Sequence, residues 1–262
     1  MGLEVQGAVV VVTGAAGGIG AAVAAGFGTA GARVVRTDLP GRSADVDLDV
    51  TDLDAARQVF EEICSTRGRL DVVVANAGIG VGGLVEDLAA ADWERSIRVN
   101  IQGTANTVQA AYPLLIGQRH GAIVLMASLA GLAGLPLLTP YAMTKFAVVG
   151  LAQSLRPEAA RHGVGVTVVC PGPVETPLLD ETSRTVGLDV RRYLTASAGA
   201  PLDPAKLAHL VVDAVRHDRA VVVPGRAGLL WRLHRLFPNA VDKLIARGMR
   251  DELAAGGVPA PS

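Results

Sequence analysis

Two side chains of a predicted helix could exchange a proton with a substrate. Tyr141 and Lys145 stand four residues apart in the segment YAMTK, and residues at this spacing share one face of an α-helix. A free tyrosine has a pKa of about 10 and is a poor base near neutral pH, but a neighbouring ammonium group favours the phenolate. The pair therefore indicates either ordinary amphipathic spacing or a phenol held beside the cation that adjusts its pKa.

A glycine-rich turn near the N-terminus has the composition of a phosphate-binding loop. In VVVVTGAAGGIG an apolar run is followed by Gly14, Gly17, Gly18 and Gly20. This spacing fits T-G-x-x-x-G-x-G, whereas the general dinucleotide pattern G-x-G-x-x-G does not fit. Glycine permits a tight turn, and the N–H groups at the start of the next helix can bind a pyrophosphate. We therefore predict a dinucleotide site here.

An acidic residue at the end of the next apolar run bears on the choice of dinucleotide. Asp38 ends the segment RVVRTD, about 20 positions after the glycine turn. A carboxylate at this position bonds the adenosine ribose hydroxyls and repels a 2′-phosphate. Arg36 lies two positions earlier on the strand, and Leu39 is not basic. The sequence therefore favours NAD over NADP.

Short apolar runs alternate with helical stretches along the chain. Strands are predicted at Ala8–Val12, Arg33–Arg36, Val72–Ala75, Ile123–Met126, Gly165–Val169 and Ala220–Val223. Helices are predicted at Ile19–Ala30, Leu53–Arg67, Ala89–Ala111, Tyr141–His162 and Pro204–His217. Apolar runs without polar alternation are typical of parallel strands buried on both faces, and right-handed crossovers connect such strands. The expected fold class is α/β, a doubly wound parallel sheet in one domain with helices on both faces.

One proline interrupts this regular pattern. Pro157 falls within the predicted helix Tyr141–His162. Proline removes a backbone hydrogen bond and kinks or interrupts a helix. We therefore expect an irregularity there, several turns beyond the Tyr–Lys pair.

The overall composition excludes several classes of protein. Half of the 262 residues are apolar, 19% are charged and the net charge is −1, so nothing indicates nucleic acid binding. No apolar run approaches the roughly 18 residues of a membrane span, and the N-terminus lacks the basic region of a signal peptide. Cys64 and Cys170 lack the spacing of a disulfide framework or a metal site. We therefore expect free thiols, no metal and a cytoplasmic protein.

Seven short motifs together resemble the classical short-chain dehydrogenase/reductase family. They are TGAAGGIG (13–20), DVTD (49–52), NAG (76–78), VN (99–100), MAS (126–128), YAMTK (141–145) and PGPVET (171–176). The resemblance extends from about Gly7 to Pro224. The usual paired asparagines read Ala75-Asn76 and the usual paired serines read Ala127-Ser128, and neither departure removes a catalytic group. The resemblance implies a Rossmann-like fold and the reversible oxidation of an alcohol by a nicotinamide dinucleotide.

The same resemblance implies a role for each of four catalytic residues. Tyr141 matches the acid/base, and Lys145 matches the residue that binds the nicotinamide ribose and lowers the tyrosine pKa. Ser128 matches the residue that orients the substrate oxygen. Asn100 matches the residue that holds a water in the proton relay.

The family motifs also imply the cofactor contacts. Asp49 and Val50 match the adenine-contacting pair, and Val174 and Thr176 match the positions that hold the nicotinamide carboxamide. The full predicted set is Gly14, Gly17, Gly18, Ile19, Gly20, Asp38, Asp49, Val50, Asn76, Ala77, Gly78, Tyr141, Lys145, Pro171, Gly172, Val174 and Thr176. The predicted cofactor is NAD.

Family substrate loops follow the last of these motifs, here at about 177–201. The predicted substrate-binding residues are Ser128, Leu129, Leu135, Leu178, Leu179 and Tyr193, with Leu132, Val186 and Leu188 nearby. These side chains favour a small hydrophobic secondary alcohol or ketone, such as a terpenoid, steroid-like or fatty substrate. Arg191 and Arg192 could meet a substrate carboxylate, although solvated arginines are the favoured interpretation.

The C-terminal segment is less typical of the family. We expect a catalytic domain at 1–225 and a basic, apolar extension at 226–262, with the tail GGVPAPS (256–262) disordered. The favoured interpretation is packing within the chain or between subunits of a homotetramer or homodimer. Peripheral membrane contact through 226–250 is the alternative.

Two other functions remain open from the sequence. One is a ketone reductase that uses NADPH or NADH, such as a 3-oxoacyl reductase. The other is a non-catalytic regulator that binds a dinucleotide, which the retention of all four catalytic residue types disfavours.

Overall fold

A computed structural model of the chain describes residues 2–186 and 189–255, without the side chains of 183–186 and 197. Within them, seven parallel strands form one sheet in the order β3-β2-β1-β4-β5-β6-β7. The strands are β1 (Val9–Thr13), β2 (Arg33–Asp38), β3 (Val46–Asp47), β4 (Val72–Ala75), β5 (Gly121–Met126), β6 (Val164–Val169) and β7 (Val221–Val222). The predicted doubly wound, Rossmann-like fold is confirmed.

Helices cover both faces of this sheet. They are α1 (Gly18–Thr29), α2 (Leu53–Arg67), α3 (Ala90–Ser96), α4 (Gly103–Gln118), α5 (Thr139–Ala160), α6 (Pro177–Val186), α7 (Val190–Ala198), α8 (Pro204–Arg216), α9 (Gly225–Leu236) and α10 (Pro238–Ala255). Along β1, Val9 and Val11 face the core formed with α2, α4 and α5, whereas Val10 and Val12 face the core formed with α1 and α8. Alternate residues of one apolar strand thus fill two cores, as the lack of polar alternation predicts.

The observed helices depart from the predicted ones at two places. The predicted helix Ala89–Ala111 consists of α3, a π-helical stretch at Ile97–Gln102 and α4. Helix α5 continues through Pro157 to Ala160, so the expected interruption does not occur. Pro157 is exposed in the last turn and cannot donate to the carbonyl of Gln153, but Gln153 is exposed as well, so that carbonyl can bond to water and the helix is not interrupted.

The chain after β6 contains more regular structure than a loop. The predicted substrate loop holds α6 and α7, and the C-terminal extension forms the helical pair α9–α10. These helices share a third apolar core with the segment after β5, in which Val190, Tyr193, Leu230 and Ile245 are buried. Leu188 and the tail 256–262 lie outside the described residues, as does the side chain of Val186.

A buried carboxylate ties α10 to α7. Glu252 is 4% exposed and accepts hydrogen bonds from Arg192 Nε at 2.8 Å and Arg192 Nη2 at 2.7 Å. It also accepts a bond from the backbone N–H of Asp189 at 3.2 Å, at the start of α7. Because a buried carboxylate without partners is costly, these three bonds fix α10 against α7.

Removing this carboxylate should destabilise the fold more than removing an exposed one. We expect Glu252→Ala to lower the free energy of unfolding by about 1–3 kcal/mol, because it breaks three bonds to a charged group. The control is Asp180→Ala, which removes a 60% exposed partner of Arg191 and should cost less than about 1 kcal/mol. Urea denaturation measures both, and equal losses would contradict a bracing role for Glu252.

Candidate active site

A cleft of about 760 Å³ opens where the strands end. All strands are parallel, so the residues that follow β1, β2, β4, β5 and β6 meet at one edge of the sheet. The strand order reverses between β1 and β4, which is where ligands bind in sheets of this kind. The predicted cofactor residues that line the cleft are Gly14, Gly17, Gly18, Ile19, Asp38, Asp49, Val50, Asn76, Ala77, Gly78, Tyr141, Lys145, Pro171, Gly172, Val174 and Thr176.

The glycine turn is shaped by close backbone contact. Gly14 has φ +64°, and a Cβ there would lie 2.8 Å from the Cα of Ala77. Gly20 does not line the cleft, but a Cβ at this position would overlap the carbonyl oxygen of Gly14. Helix α1 starts at Gly18 and Gly17 provides no side-chain cap, so its first N–H groups face the cleft without a protein side chain on them. This geometry fits a dinucleotide pyrophosphate.

A second set of bonds joins this turn to the end of β4. Asn76 donates from Nδ2 to the carbonyl oxygens of Thr13 at 2.9 Å and Gly14 at 3.1 Å. In return, the hydroxyl of Thr13 accepts from the backbone N–H groups of Asn76 and Ala77 at 3.0 and 3.1 Å. Both walls of the cofactor groove are therefore held by one polar cluster.

Asp38 stands at the adenosine end with its carboxylate fixed. One oxygen accepts from the N–H of Ala16 at 2.8 Å, and the other accepts from the N–H of Leu39 at 2.9 Å. Arg36 is paired with Asp45 at 2.7 Å and does not line the cleft. The sequence interpretation missed two further lining residues, Arg42 and Ser43, because they lie in the irregular turn before β3.

Tyr141, Lys145 and Ser128 meet at the other end of the cleft. Lys145 is 5% exposed, donates from Nζ to the carbonyl oxygen of Met126 at 2.9 Å, and lies 5.5 Å from the centre of the Tyr141 ring. Ser128 follows β5, and its Oγ accepts from the N–H of Ala130 at 3.1 Å. A strand end and one face of α5 thus bring three predicted catalytic side chains together.

Burial controls the acidity of this group. Desolvation lowers the pKa of Lys145 to about 8, and the nearby Cys170 slightly opposes that change. Desolvation also raises the pKa of Tyr141, and a hydrogen bond with Ser128 partly offsets the increase. Burial thus disfavours the charged forms of both groups, and the expected lowering of the Tyr141 pKa by Lys145 stays a prediction.

Asn100 is placed differently from the other three. It is fully buried in the π-helical stretch, and its side chain does not line the cleft. Its amide nitrogen donates to the carbonyl of Ile79 and to Thr144 Oγ1, both at 3.0 Å, and its Oδ1 accepts from the N–H of Ile79 at 2.8 Å. The side chain therefore holds the loop after β4, and the water-holding role stays a prediction.

The substrate end of the cleft is apolar. Four predicted residues line it, namely Leu129, Leu135, Leu178 and Leu179. Further lining residues that sequence reasoning missed are Leu138, Thr182, Val190, Leu194, Ala198 and Arg98. Apolar spacing on the helices α6 and α7 could have indicated several of these residues, but the segment was interpreted as a loop.

Four side chains considered for the substrate region do not line the cleft. Tyr193 is 1% exposed and packs in the third core, since its position on α7 faces α9 and α10. Leu132 packs against the core on the α5 side of the sheet. Arg191 pairs with Glu175 and Asp180, and Arg192 with Glu252, so neither guanidinium is directed to a substrate carboxylate.

Across 2–186 and 189–255 no group of His, Cys, Asp and Glu side chains is arranged to hold a metal ion. None of the helices in those ranges is long and apolar enough to cross a bilayer. Cys64 and Cys170 are both free thiols.

Fold and site together define a Rossmann-like oxidoreductase that uses a nicotinamide dinucleotide. The family model described as short chain dehydrogenase matches residues 8–187. The chain belongs to the short-chain dehydrogenase/reductase family, as the motifs predict.

Several characterised proteins are similar to the chain. It is 36% identical over 194 residues to a 3-oxoacyl-(acyl-carrier-protein) reductase from Thermotoga maritima. That alignment covers 68% of this chain and 79% of the relative. It is 35% identical over 205 residues to a (−)-trans-carveol dehydrogenase from Rhodococcus erythropolis. That alignment covers 67% of this chain and 74% of the relative.

Solved structures share the fold over most of the chain. A short-chain dehydrogenase/reductase from Burkholderia phymatum in complex with NAD has a TM-score of 0.78 and 27% identity, covering 89% of this chain and 94% of its own. The ligand-free aldohexose dehydrogenase from Thermoplasma acidophilum has a TM-score of 0.77 and 26% identity. The superposition covers 87% of this chain and 96% of that structure.

The close contact at Gly20 predicts a large effect from one added methyl group. We expect Gly20→Ala to displace the Gly14 carbonyl, at a cost of about 1–3 kcal/mol in stability, and to weaken NAD binding because the glycine turn is distorted. Calorimetric titration with NAD measures this effect.

The matched control lies on the same helix. Gly28 has open space around it, so Gly28→Ala should leave NAD binding unchanged and stabilise α1 by up to about 1 kcal/mol. Equal NAD affinity in the two variants would show that the Gly14–Gly20 contact does not shape the cofactor site.

Proposed function

We propose that the chain is an NAD-dependent dehydrogenase/reductase that acts on a hydrophobic secondary alcohol or ketone. One observation carries the proposal: Tyr141, Lys145 and Ser128 meet where the glycine-lined groove joins an apolar pocket. A bound nicotinamide supplies the acceptor or donor of the hydride. The protein must therefore supply the proton transfer and hold the substrate oxygen.

Each of the three side chains has a distinct task in this proposal. Tyr141 takes the hydroxyl proton in oxidation and returns it in reduction. The Ser128 oxygen accepts the Ala130 N–H and its hydroxyl lies within hydrogen-bond reach of Tyr141, so a substrate oxygen placed beside both groups can share the Ser128 O–H. Lys145 has three N–H donors and gives one to Met126, which leaves two for cofactor hydroxyls and for favouring the phenolate.

The choice of NAD rests on Asp38. Its carboxylate is fixed by two backbone N–H groups at the adenosine end, so it cannot turn away from a 2′-phosphate. Arg36, the nearest base on the strand, is engaged by Asp45. The similar Burkholderia protein in complex with NAD also supports this choice.

The proposed substrate class follows from the leucine-rich pocket wall. Leu129, Leu135, Leu178 and Leu194 surround the catalytic end, which suits a terpenoid, steroid-like or fatty molecule. Similarity to the carveol dehydrogenase supports a terpenoid-sized alcohol. A second candidate is reduction of a 3-oxoacyl chain, which the similarity to the Thermotoga reductase favours.

The proposed assembly is a homodimer or homotetramer. Met143 and Phe146 are 39% and 46% exposed on the outer face of α5, and Ile97 is 41% exposed at the π-helical stretch. Large apolar side chains on one helix face support a subunit contact there. The two free thiols agree with the proposed location in the reducing cytoplasm.

Loss of the Tyr141 hydroxyl should abolish turnover and leave the cofactor site intact. We expect Tyr141→Phe to lower kcat about 10²–10⁴-fold, the usual contribution of a general acid/base. NAD affinity should not change, because the ring remains. Tyr112→Phe, on α4 away from the cleft, should turn over like the wild type. Near-normal turnover in Tyr141→Phe would exclude this residue as the acid/base.

The cofactor preference can be measured together with the substrate class. A screen of hydrophobic alcohols, sugars and 3-oxoacyl thioesters with both dinucleotides should show turnover of apolar substrates and a preference for NAD. Asp38→Asn removes the fixed charge, so the NADP-to-NAD ratio of kcat/KM should rise about ten-fold or more. A wild type that prefers NADP would contradict the proposed role of Asp38, and turnover of sugars alone would contradict the apolar pocket.

A further inference from the structure

The helical pair α9–α10 buries one face and exposes the other. Its buried face consists of Ala227, Leu230, Val241 and Ile245 in the third core. The large apolar side chains on its outer side are Leu229 (59% exposed), Leu233 (40%), Leu236 (71%), Phe237 (60%) and Leu244 (60%). Five large apolar side chains exposed on one helical pair indicate an interaction surface rather than scattered surface leucines.

The most exposed of these side chains lie at the turn between the two helices. Every residue from Arg235 to Ala240 is exposed, and Leu236 and Phe237 stand in the middle of this run. The turn therefore projects into solvent. A projecting apolar tip suits insertion into a soft surface better than the binding of a peptide in a groove.

The same segment concentrates positive charge. The pair contains six Lys or Arg residues and three acids, in a chain whose net charge is −1. One of the acids, Glu252, is buried against Arg192. Asp242 already faces His234 at 3.1 Å, and Arg235 lies over the Trp231 ring at 5.5 Å. In the part of the chain that the structure describes, no carboxylate pairs with Arg232 or Lys243.

The charge decides between the candidate partners. A two-fold contact between copies of the chain would set the same cationic patch against itself, and like charges across an interface are unfavourable. Nucleic acid would satisfy the cations but leave Leu236 and Phe237 without an apolar environment. An anionic bilayer satisfies both, with phosphate groups for the cations and the acyl boundary for the tip.

We infer that the α9–α10 pair is a peripheral docking element for anionic membrane surfaces. Leu236 and Phe237 enter the headgroup region, while Arg232, Arg235 and Lys243 contact lipid phosphates. This inference stands apart from the proposed function, because it requires neither the cofactor nor turnover.

Vesicle sedimentation with the full chain tests this inference. The vesicles contain equal parts of phosphatidylcholine and phosphatidylglycerol, and phosphatidylcholine vesicles serve as the neutral comparison. We expect the wild type to sediment with the anionic vesicles only, and raised salt should release it. The double variant Leu236→Ser/Phe237→Ser should bind about ten-fold less tightly, because it removes the apolar tip.

Charge reversal provides an independent measurement. Arg232→Glu/Lys243→Glu should weaken vesicle binding by at least about five-fold for each cation lost. Two matched controls should bind like the wild type: Val85→Ser, which removes a 52% exposed apolar side chain elsewhere, and Lys206→Glu, which reverses an exposed charge on α8.

Three outcomes would overturn the inference. The wild type could fail to sediment with anionic vesicles, it could bind neutral vesicles equally well, or the controls could lose binding as much as the tip variants. Light scattering on the same samples reports the oligomeric state, which tests a subunit contact as the alternative. A tip variant that dissociates an oligomer, with no vesicle binding by the wild type, would assign the surface to a subunit contact.

Discussion

The contact between the backbones of Gly14 and Gly20 is the constraint on which the site depends. It brings the first turn of α1 onto the end of β1, so that the helix N-terminus is directed into the groove. Asn76 bonds to the carbonyl of Gly14 and thereby joins β4 to the same turn. The groove between β1 and β4 depends on the absence of a side chain at both Gly14 and Gly20, and the remaining walls are built around this junction.

At the catalytic end, the free-energy cost of burying charge controls the pKa values of the side chains. Lys145 lies among apolar elements with one carbonyl partner, and its pKa is lowered to about 8. The phenol of Tyr141 experiences the same desolvation and has a raised pKa. Burial therefore disfavours the phenolate, and the proposed activation of Tyr141 rests on Lys145 and on the positive charge of an oxidised nicotinamide. In the proposed function, substrate recognition rests on an apolar wall and on the hydroxyl of Ser128.

Much of this architecture could be predicted from the sequence, because apolar runs and glycine spacing report local constraints. The strands β1, β2, β4, β5 and β6 and the helix α2 follow from such patterns. The two-residue strand β3 and the π-helical stretch could not be predicted, since neither has a period of its own. The position of Tyr193 in the third core depends on how α9 and α10 pack, which no local pattern reports. Asn100 matches a family motif, but only the fold shows that its side-chain amide already donates hydrogen bonds to the Ile79 carbonyl and to Thr144 Oγ1.

The bond between Arg192 and Glu252 also has a consequence for biosynthesis. The two residues are 60 positions apart, and the second lies beyond every strand of the sheet. Domains begin to fold while the ribosome is still adding residues. The nucleotide-binding half can therefore assemble early in translation, whereas the substrate wall gains its anchor only after residue 252 has emerged. A nascent chain passes through a stage in which it has a dinucleotide groove and an unsecured substrate pocket.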